Sequence, residues 1–306
     1  MERGDILDIL ENNIDPAIEE KSEGVAGSGC EVLVPFNERL PLREIERSII
    51  KKYRKNIWSN FIKAIKEYEL IKDGDRVAVA ISGGKDSLLM AKLFQELKRH
   101  GQIKFEAEYV AMDPGYHKNI RELLIDNCDY LGIPLHIFDS GIFDIIDDIA
   151  KDYPCYMCAK MRRGALYSKA KELGCNKLAL GHHYNDVIET TLINMLYAGS
   201  FKTMLPKLRS TNYEKMELIR PLYYVREKDI ERFIQGSGIW PLNCACMVAA
   251  KKTSSKRHEI KQLVKTLKEN YSEVDKSIFR AACNVNMDAI LGWEKDGERH
   301  SYLDFY

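Results

Sequence analysis

Ser82-Gly83-Gly84-Lys85-Asp86-Ser87 brings together residue types suited to holding a nucleotide's phosphates. The β-branched run Arg76-Val77-Ala78-Val79-Ala80-Ile81 before it reads as a strand, and Leu88-Leu89-Met90-Ala91-Lys92-Leu93-Phe94 after it continues as a helix. The hexapeptide is therefore expected at a helix N-terminus, where unpaired N–H groups and the positive dipole end attract anions. Gly83 and Gly84 let the backbone approach a phosphate, Ser82 and Ser87 add hydroxyls, and Lys85 adds charge. A Walker A loop needs four residues between its first glycine and its Gly-Lys pair, so this loop is of another kind.

Two further groups of residues could do chemistry. Gly181-His182-His183-Tyr184-Asn185-Asp186 follows the short apolar run Lys177-Leu178-Ala179-Leu180 and opens another helix. Alone, Asp186 reads as a first-turn acid favourable to the helix dipole; beside the Ser82 loop it reads as a group that holds Mg²⁺ or acts on the substrate. Cys155-Tyr156-Met157-Cys158 precedes a basic helix starting near Arg162, and Cys244-Ala245-Cys246 comes late in the chain. A Cys-x-x-Cys pair brings two thiolates to one metal or cluster, or forms a disulfide. A four-ligand zinc site and a three-cysteine [4Fe–4S] cluster with one open iron are both compatible with the spacing. Cys30, Cys128, Cys175 and Cys283 read as ordinary thiols.

The elements that must position these groups follow an alternating pattern. Strands are expected at Arg76–Ile81, Phe105–Met112, Leu135–Phe138, Lys177–Leu180 and Leu218–Ile219, with helices between them near Leu88–Lys98, Ile120–Leu131, Arg162–Leu173 and Val187–Leu196. This predicts an α/β fold with a doubly wound, parallel five-stranded sheet, its ligands beyond the carboxyl ends of the strands. Ile45, Ile49, Ile50, Tyr53, Ile57, Phe61, Ile62 and Ile65 predict a long amphipathic helix over 42–68. Residues 1–40 read as an acidic N-terminal extension, 41–222 as the core domain with its leading helix, and 223–306 as a helical C-terminal region without further strands.

Composition excludes some classes. The 306 residues are 45% hydrophobic and 30% charged, with no apolar run of membrane-spanning length and no signal-peptide pattern at Met1-Glu2-Arg3-Gly4-Asp5. A cytoplasmic protein without membrane contact is expected, whose eight cysteines are thiols or ligands rather than a disulfide framework. Net charge is zero, but it is uneven: residues 1–25 hold eight acidic and two basic side chains, and 251–268 hold seven Lys/Arg against one Glu. With Lys51-Lys52-Tyr53-Arg54-Lys55 and Lys160-Met161-Arg162-Arg163, three basic clusters suit an RNA-sized anion.

The hexapeptide has the form of the PP-loop of N-type ATP pyrophosphatases. Together with Cys155-x-x-Cys158 followed by Arg162-Arg163-Gly164, Gly181-His182-His183 with Asp186, Ile219-Arg220-Pro221-Leu222 before Arg226-Glu227-Lys228-Asp229-Ile230, and a late cysteine group, it resembles the tRNA 2-thiocytidine synthetase family (TtcA) over roughly residues 45 to 270. No Cys-x-x-Cys pair precedes Ser82, which favours this branch over the related 2-thiouridine synthetases. The resemblance implies a Rossmann-like PP-loop fold in which Ser82, Gly83, Gly84, Lys85, Asp86 and Ser87 bind ATP phosphates. Ala111, Met112 and Asp113 would line the adenosine pocket, with Gly181 and His182 also at the nucleotide. It further implies Lys85, Asp186 and Arg162 in the ATP and substrate chemistry, and Cys155, Cys158 and Cys246 as ligands of a [4Fe–4S] cluster, with Cys244 the rival third ligand. The family's Arg-Asp-Asp after the His pair is Tyr184-Asn185-Asp186 here.

The implied reaction is ATP- and Mg²⁺-dependent adenylation of a pyrimidine C2 oxygen in tRNA, then its replacement by sulfur, giving 2-thiocytidine at position 32. A sulfur donor such as a cysteine desulfurase is an implied partner, and a homodimer is compatible with the sequence. The alternatives are a PP-loop sulfur transferase for another nucleoside or small molecule, a cysteine-persulfide mechanism without a cluster, a lysidine-synthetase-like ligase, and an ATP-binding regulatory module.

Overall fold

A computed structural model of the chain describes residues 31–32, 38–113, 116, 118–140, 154–243 and 254–306. The strands are β1 (Glu31–Val32), β2 (Arg76–Ala80), β3 (Glu106–Asp113), β4 (Leu135–Asp139), β5 (Lys177–Ala179), β6 (Lys207–Arg209), β7 (Glu217–Ile219), β8 (Leu242–Asn243), β9 (Gly292–Lys295) and β10 (Glu298–Ser301). The α-helices are α1 (Leu42–Ile50), α2 (Ser59–Glu67), α3 (Lys85–His100), α4 (Lys118–Tyr130), α5 (Pro154–Glu172), α6 (Tyr184–Ala198), α7 (Glu227–Ser237), α8 (Ser254–Asn270) and α9 (Val274–Ala281).

Residues 1–186 and 205–256 make one compact unit. Its centre is a six-stranded sheet in the order β4-β3-β2-β5-β7-β6. β2 pairs in parallel with β3 and β5, aligning Val79 with Tyr109 and with Ala179. The chain winds outward from β2 through β3 to β4, then returns to lay β5 on the other side of β2. The order therefore reverses between β2 and β5, and the crevice beyond their carboxyl ends is the switch point at which such sheets bind ligands. Val77, Ala78, Val79, Leu178, Ala179 and Ile219 are fully buried, which is why these strands read as continuous apolar runs rather than alternating ones.

The α/β architecture agrees with the expected one, with three corrections. The sheet has a sixth strand, β6, antiparallel to β7; its sequence Lys207-Leu208-Arg209 is short and basic, as edge strands are. The helix expected over 42–68 is α1 and α2 joined through a π-helical turn at Arg54–Trp58. Ile45, Ile49, Ile57, Phe61 and Ile65 are all buried at four-residue multiples. A straight 3.6-residue helix would carry that spacing progressively off the core face, and a wider turn brings it back.

The C-terminal region does contain strands. β8 pairs antiparallel with β1, and β9 and β10 form a hairpin. The hairpin's connection, Asp296-Gly297, has positive φ at both residues (55° and 85°), the two-residue turn that Asp-Gly favours.

Residues 187–204 and 257–306 make a second compact unit. In it the Arg257 guanidinium lies 2.8 Å from the Glu189 carboxylate, and Trp293 stacks between His300 and Phe305. No helix among the described residues is long and apolar enough to cross a membrane.

The first unit holds a buried ammonium. Lys92 Nζ donates to Glu46 Oε1 at 2.7 Å, Gln95 Oε1 at 2.6 Å and the Leu131 carbonyl at 2.9 Å, so all three protons are used. Burial pulls Lys92 below its ordinary pKa, with Glu46 opposing. Glu46→Ala leaves that ammonium without its carboxylate and is expected to destabilise the protein by about 3 kcal/mol. Urea denaturation measures this, and a loss below about 1 kcal/mol would show that the pair contributes little.

Candidate functional site

β2 delivers the chain through buried Ile81 into the turn Ser82–Gly84, and α3 begins at Lys85. Gly83 sits at φ +77°, a region open to glycine, and Gly84 N-caps α3 with no side-chain capping bond of its own. The serines shape the loop: Ser87 Oγ accepts from the Ser82 N–H at 3.2 Å and donates to the Gly84 carbonyl at 2.9 Å. The backbone N–H groups of the helix's first turn are thereby presented to the crevice as an anion cradle.

Charge is concentrated beside that cradle. Lys85 Nζ lies 3.3 Å from Glu227 Oε1 and 3.5 Å from Asp86 Oδ2. Burial works to lower its pKa, yet the carboxylates of Asp86 and Glu227 outweigh it and hold the ammonium above its ordinary value. Burial raises the Asp86 carboxyl, with Lys85 and His183 opposing and Asp186 adding. These shifts mark a crevice in which carboxylates outnumber the lysine, so an arriving phosphate finds its cation already held in place.

The second loop packs directly on the first. A Cβ at Gly181 would stand 3.4 Å from the backbone carbonyl carbon and Cβ of Asp86 and from the Ser87 nitrogen, so the two loops meet at van der Waals distance. His183 and Asp186 then form a reciprocal cap on α6. The His183 N–H donates to Asp186 Oδ2 at 2.9 Å, and the Asp186 N–H donates to His183 Nδ1 at 3.4 Å. His183 Nε2 in turn lies 3.8 Å from Asp86 Oδ1. A buried imidazole thus connects the carboxylates of the two loops.

The family resemblance implies His182 at the nucleotide and assigns no role to His183; the connecting position belongs to His183, while His182 is half-buried on the same loop. Sequence reasoning also missed Glu227 as the partner of Lys85. The signal was present in Arg226-Glu227-Lys228, where Glu227 opens α7 with its N–H donated to Asn185 Oδ1 at 3.1 Å. Ala111, Met112 and Asp113 are buried at the end of β3. The Asp113 carboxylate there accepts from the Tyr116 N–H at 2.8 Å and pairs with Arg121 at 3.1 Å.

Cys155 and Cys158 fall in the opening turns of α5, which starts at Pro154, a residue suited to the first helical position. Positions three apart share a helix face. Half-buried Arg162 follows one turn on. Cys244 and Cys246 lie outside the described residues, as does Cys30. Their segment nevertheless leaves from the loop, because the Leu242 N–H donates to the Gly83 carbonyl at 2.9 Å. Cys128 and Cys175 are buried thiols pushed up to about 12 and about 11 by burial, ill suited to ligation or attack. Cys283 is exposed.

A glycine-rich loop at the switch point of a mostly parallel sheet defines a nucleotide-binding α/β protein, and a family model described as a PP-loop domain matches residues 53–241. The tRNA-cytidine(32) 2-sulfurtransferase of Pelobacter propionicus is 37% identical over 77% of this chain and 87% of its own length. That of Citrifermentans bemidjiense is 38% identical over 75% and 90%. The chain belongs to the PP-loop family of tRNA-cytidine(32) 2-sulfurtransferases. Among solved structures, the U34-tRNA thiolase NcsA from Methanococcus maripaludis with its [4Fe-4S] cluster is similar in fold, at TM-score 0.57 and 24% identity over 78% of each chain.

Proposed function

We propose that this enzyme thiolates C2 of cytidine 32 in tRNA, consuming ATP. The reading is carried by one juxtaposition: the phosphate cradle of β2–α3 is hydrogen-bonded to the strand that leads into Cys244 and Cys246. The segment that carries the late cysteines is thereby tied through Leu242 to the loop that would hold ATP.

The residues present suit ATP. The α3 N-terminus and Lys85 would hold the phosphates, and Asp86 and Asp186 would complete a Mg²⁺ site with phosphate oxygens, the arrangement that ion prefers. Adenylation forms a bond between the pyrimidine O2 and the α-phosphorus and breaks the α–β phosphoanhydride, releasing diphosphate. Lys85 and the loop N–H groups stabilise the charge that develops on the departing oxygens. Hydrosulfide, released from the donor's persulfide by a thiol reductant, then bonds to C2; the C2–O bond breaks, AMP leaves, and the sulfur loses its proton as the C2=S bond forms. Arg162, one helical turn after Cys158 on α5, would steady the phosphate of the adenylated base.

The donor set is also suited to a cluster: two cysteine positions share one face of α5, and a late cysteine, Cys246 with Cys244 as rival, supplies the third thiolate. A [4Fe–4S] cluster held by Cys155, Cys158 and the late cysteine would supply an iron able to bind sulfur. Sulfur reaches the enzyme from a donor such as a cysteine desulfurase, the reaction takes place in the cytoplasm, and light scattering of the purified enzyme tests the homodimer.

Mass spectrometry of tRNA nucleosides from cells lacking this protein is the direct test. The expected result is loss of 2-thiocytidine with other thionucleosides retained. Undiminished 2-thiocytidine would overturn the assignment.

A further inference from the structure

Three cations of the described residues are almost completely buried: Lys92, Lys177 and Arg220. Two are compensated. Lys92 is met by Glu46, and Lys177 lies 2.5 Å from Glu217 and 3.5 Å from Asp75. Arg220 is different. It is 5% exposed, yet among the described residues its side chain makes one hydrogen bond, Nη1 to the Leu205 carbonyl, and its buried Nε has no partner.

No carboxylate among the described residues pairs with Arg220. Burial, and after it the second cation Arg163, pulls Arg220 down to about 10, with Tyr223, Tyr167 and Asp186 opposing. A buried guanidinium without a counter-charge is costly to keep, and a planar fork of donors is suited to an oxyanion. The backbone of Arg220 already secures this corner through its N–H to the Pro206 carbonyl at 2.9 Å, so the corner does not need the charge.

We propose that Arg220 anchors a phosphate-binding subsite at the carboxyl end of β7, with Arg163 at its rim. Extending the thiolation reading, the phosphate is that of the acceptor nucleotide in tRNA. β7 stands two strands from β2, roughly 10 Å across the sheet, so the subsite lies beyond the Gly181 loop from the ATP cradle. Arg163, close enough to act on Arg220, is carried by α5, whose early turns also carry Cys155 and Cys158. A target base turned into the crevice needs its own phosphate fixed nearby, because extrusion moves the backbone with the base.

The test uses Arg220→Met and Arg220→Lys in the full-length enzyme. Three quantities are measured: anisotropy of a labelled anticodon stem-loop RNA, calorimetric binding of α,β-methylene-ATP and inorganic diphosphate, and the melting temperature without ligand. Arg220→Met is expected to weaken RNA binding about tenfold and to lower the salt slope by about one ion. Arg220→Lys regains part of that loss. Nucleotide binding stays unchanged, and the ligand-free Met variant melts no lower than wild type, since an uncompensated charge has been removed.

A loss confined to diphosphate or the ATP analogue would keep the subsite and move its phosphate to the nucleotide. Unchanged binding of every probe would overturn the proposal, as would a lowered melting temperature with RNA binding intact. A wild-type enzyme that binds no tRNA would end the RNA reading, while the diphosphate arm still judges the subsite.

Discussion

Cys158→Ala should lower thiolation by roughly 100-fold or more while leaving the affinity for an ATP analogue within about twofold, because losing a thiolate strips the metal centre of a ligand but leaves the phosphate cradle intact. The expectation follows from the separation of the two machineries along the chain. The cradle is built by β2, Ser82–Gly84 and the first turn of α3, and its internal bonds run between Ser82, Gly84 and Ser87. None of them involves α5. Thionucleoside yield on tRNA, analogue calorimetry and the visible absorbance of anaerobically purified protein check the three parts independently. Full thiolation by the variant would remove Cys158 from the mechanism. Intact colour with lost thiolation would instead make its thiolate a sulfur carrier rather than a ligand.

How far the sequence revealed this site depended on the kind of signal. Ser82–Ser87 was legible because the strand, the glycines and the helix are contiguous, and each constrains the next. The parallel sheet was legible for the same reason, as buried strands such as Arg76–Ala80 are apolar without interruption from Val77 onward. β6 was not, since Lys207-Leu208-Arg209 is stabilised by its neighbour β7 rather than by its own pattern. The interruption between α1 and α2 leaves little trace in the pattern, because Ile57 within it continues the apolar spacing of the flanking helices. Only the strict four-residue repeat of Ile45, Ile49, Ile57, Phe61 and Ile65 pointed to a wider turn. The β9–β10 hairpin does have a local signal, the Asp296-Gly297 pair, although its flanking strands lack the apolar alternation that would mark them. His183 and Glu227 belong to a further class, because their importance lies in contacts 97 (183 − 86) and 142 residues away along the chain, to Asp86 and Lys85. Local spacing carries no record of such pairs.

Gly83→Ala should weaken ATP binding by at least tenfold, the second of the two largest effects expected. Two independent costs fall on one methyl group. At φ +77° an L-residue is strained by roughly 1–2 kcal/mol. The new Cβ would also stand 2.6 Å from Leu242 Cδ1, 3.0 Å from Leu242 Cγ and 3.1 Å from Leu124 Cδ1, and overpacking of this kind typically costs about 1–3 kcal/mol. Leu242 and Leu124 are both buried, so neither can swing aside into solvent. The loop must instead shift, and its N–H groups leave the positions that suit a phosphate. Leu242→Ala in the same chain removes the contacts with Cδ1 and Cγ but not the backbone strain, so it should restore part of the affinity. Calorimetry with α,β-methylene-ATP on the two variants separates the contributions. Because the Gly83 carbonyl holds the Leu242 N–H, the same displacement reaches the strand just before Cys244. In cluster-free protein the alkylation rates of Cys244 and Cys246 should therefore change in Gly83→Ala, whereas equal rates in both proteins would show that the loop and the late cysteines move independently.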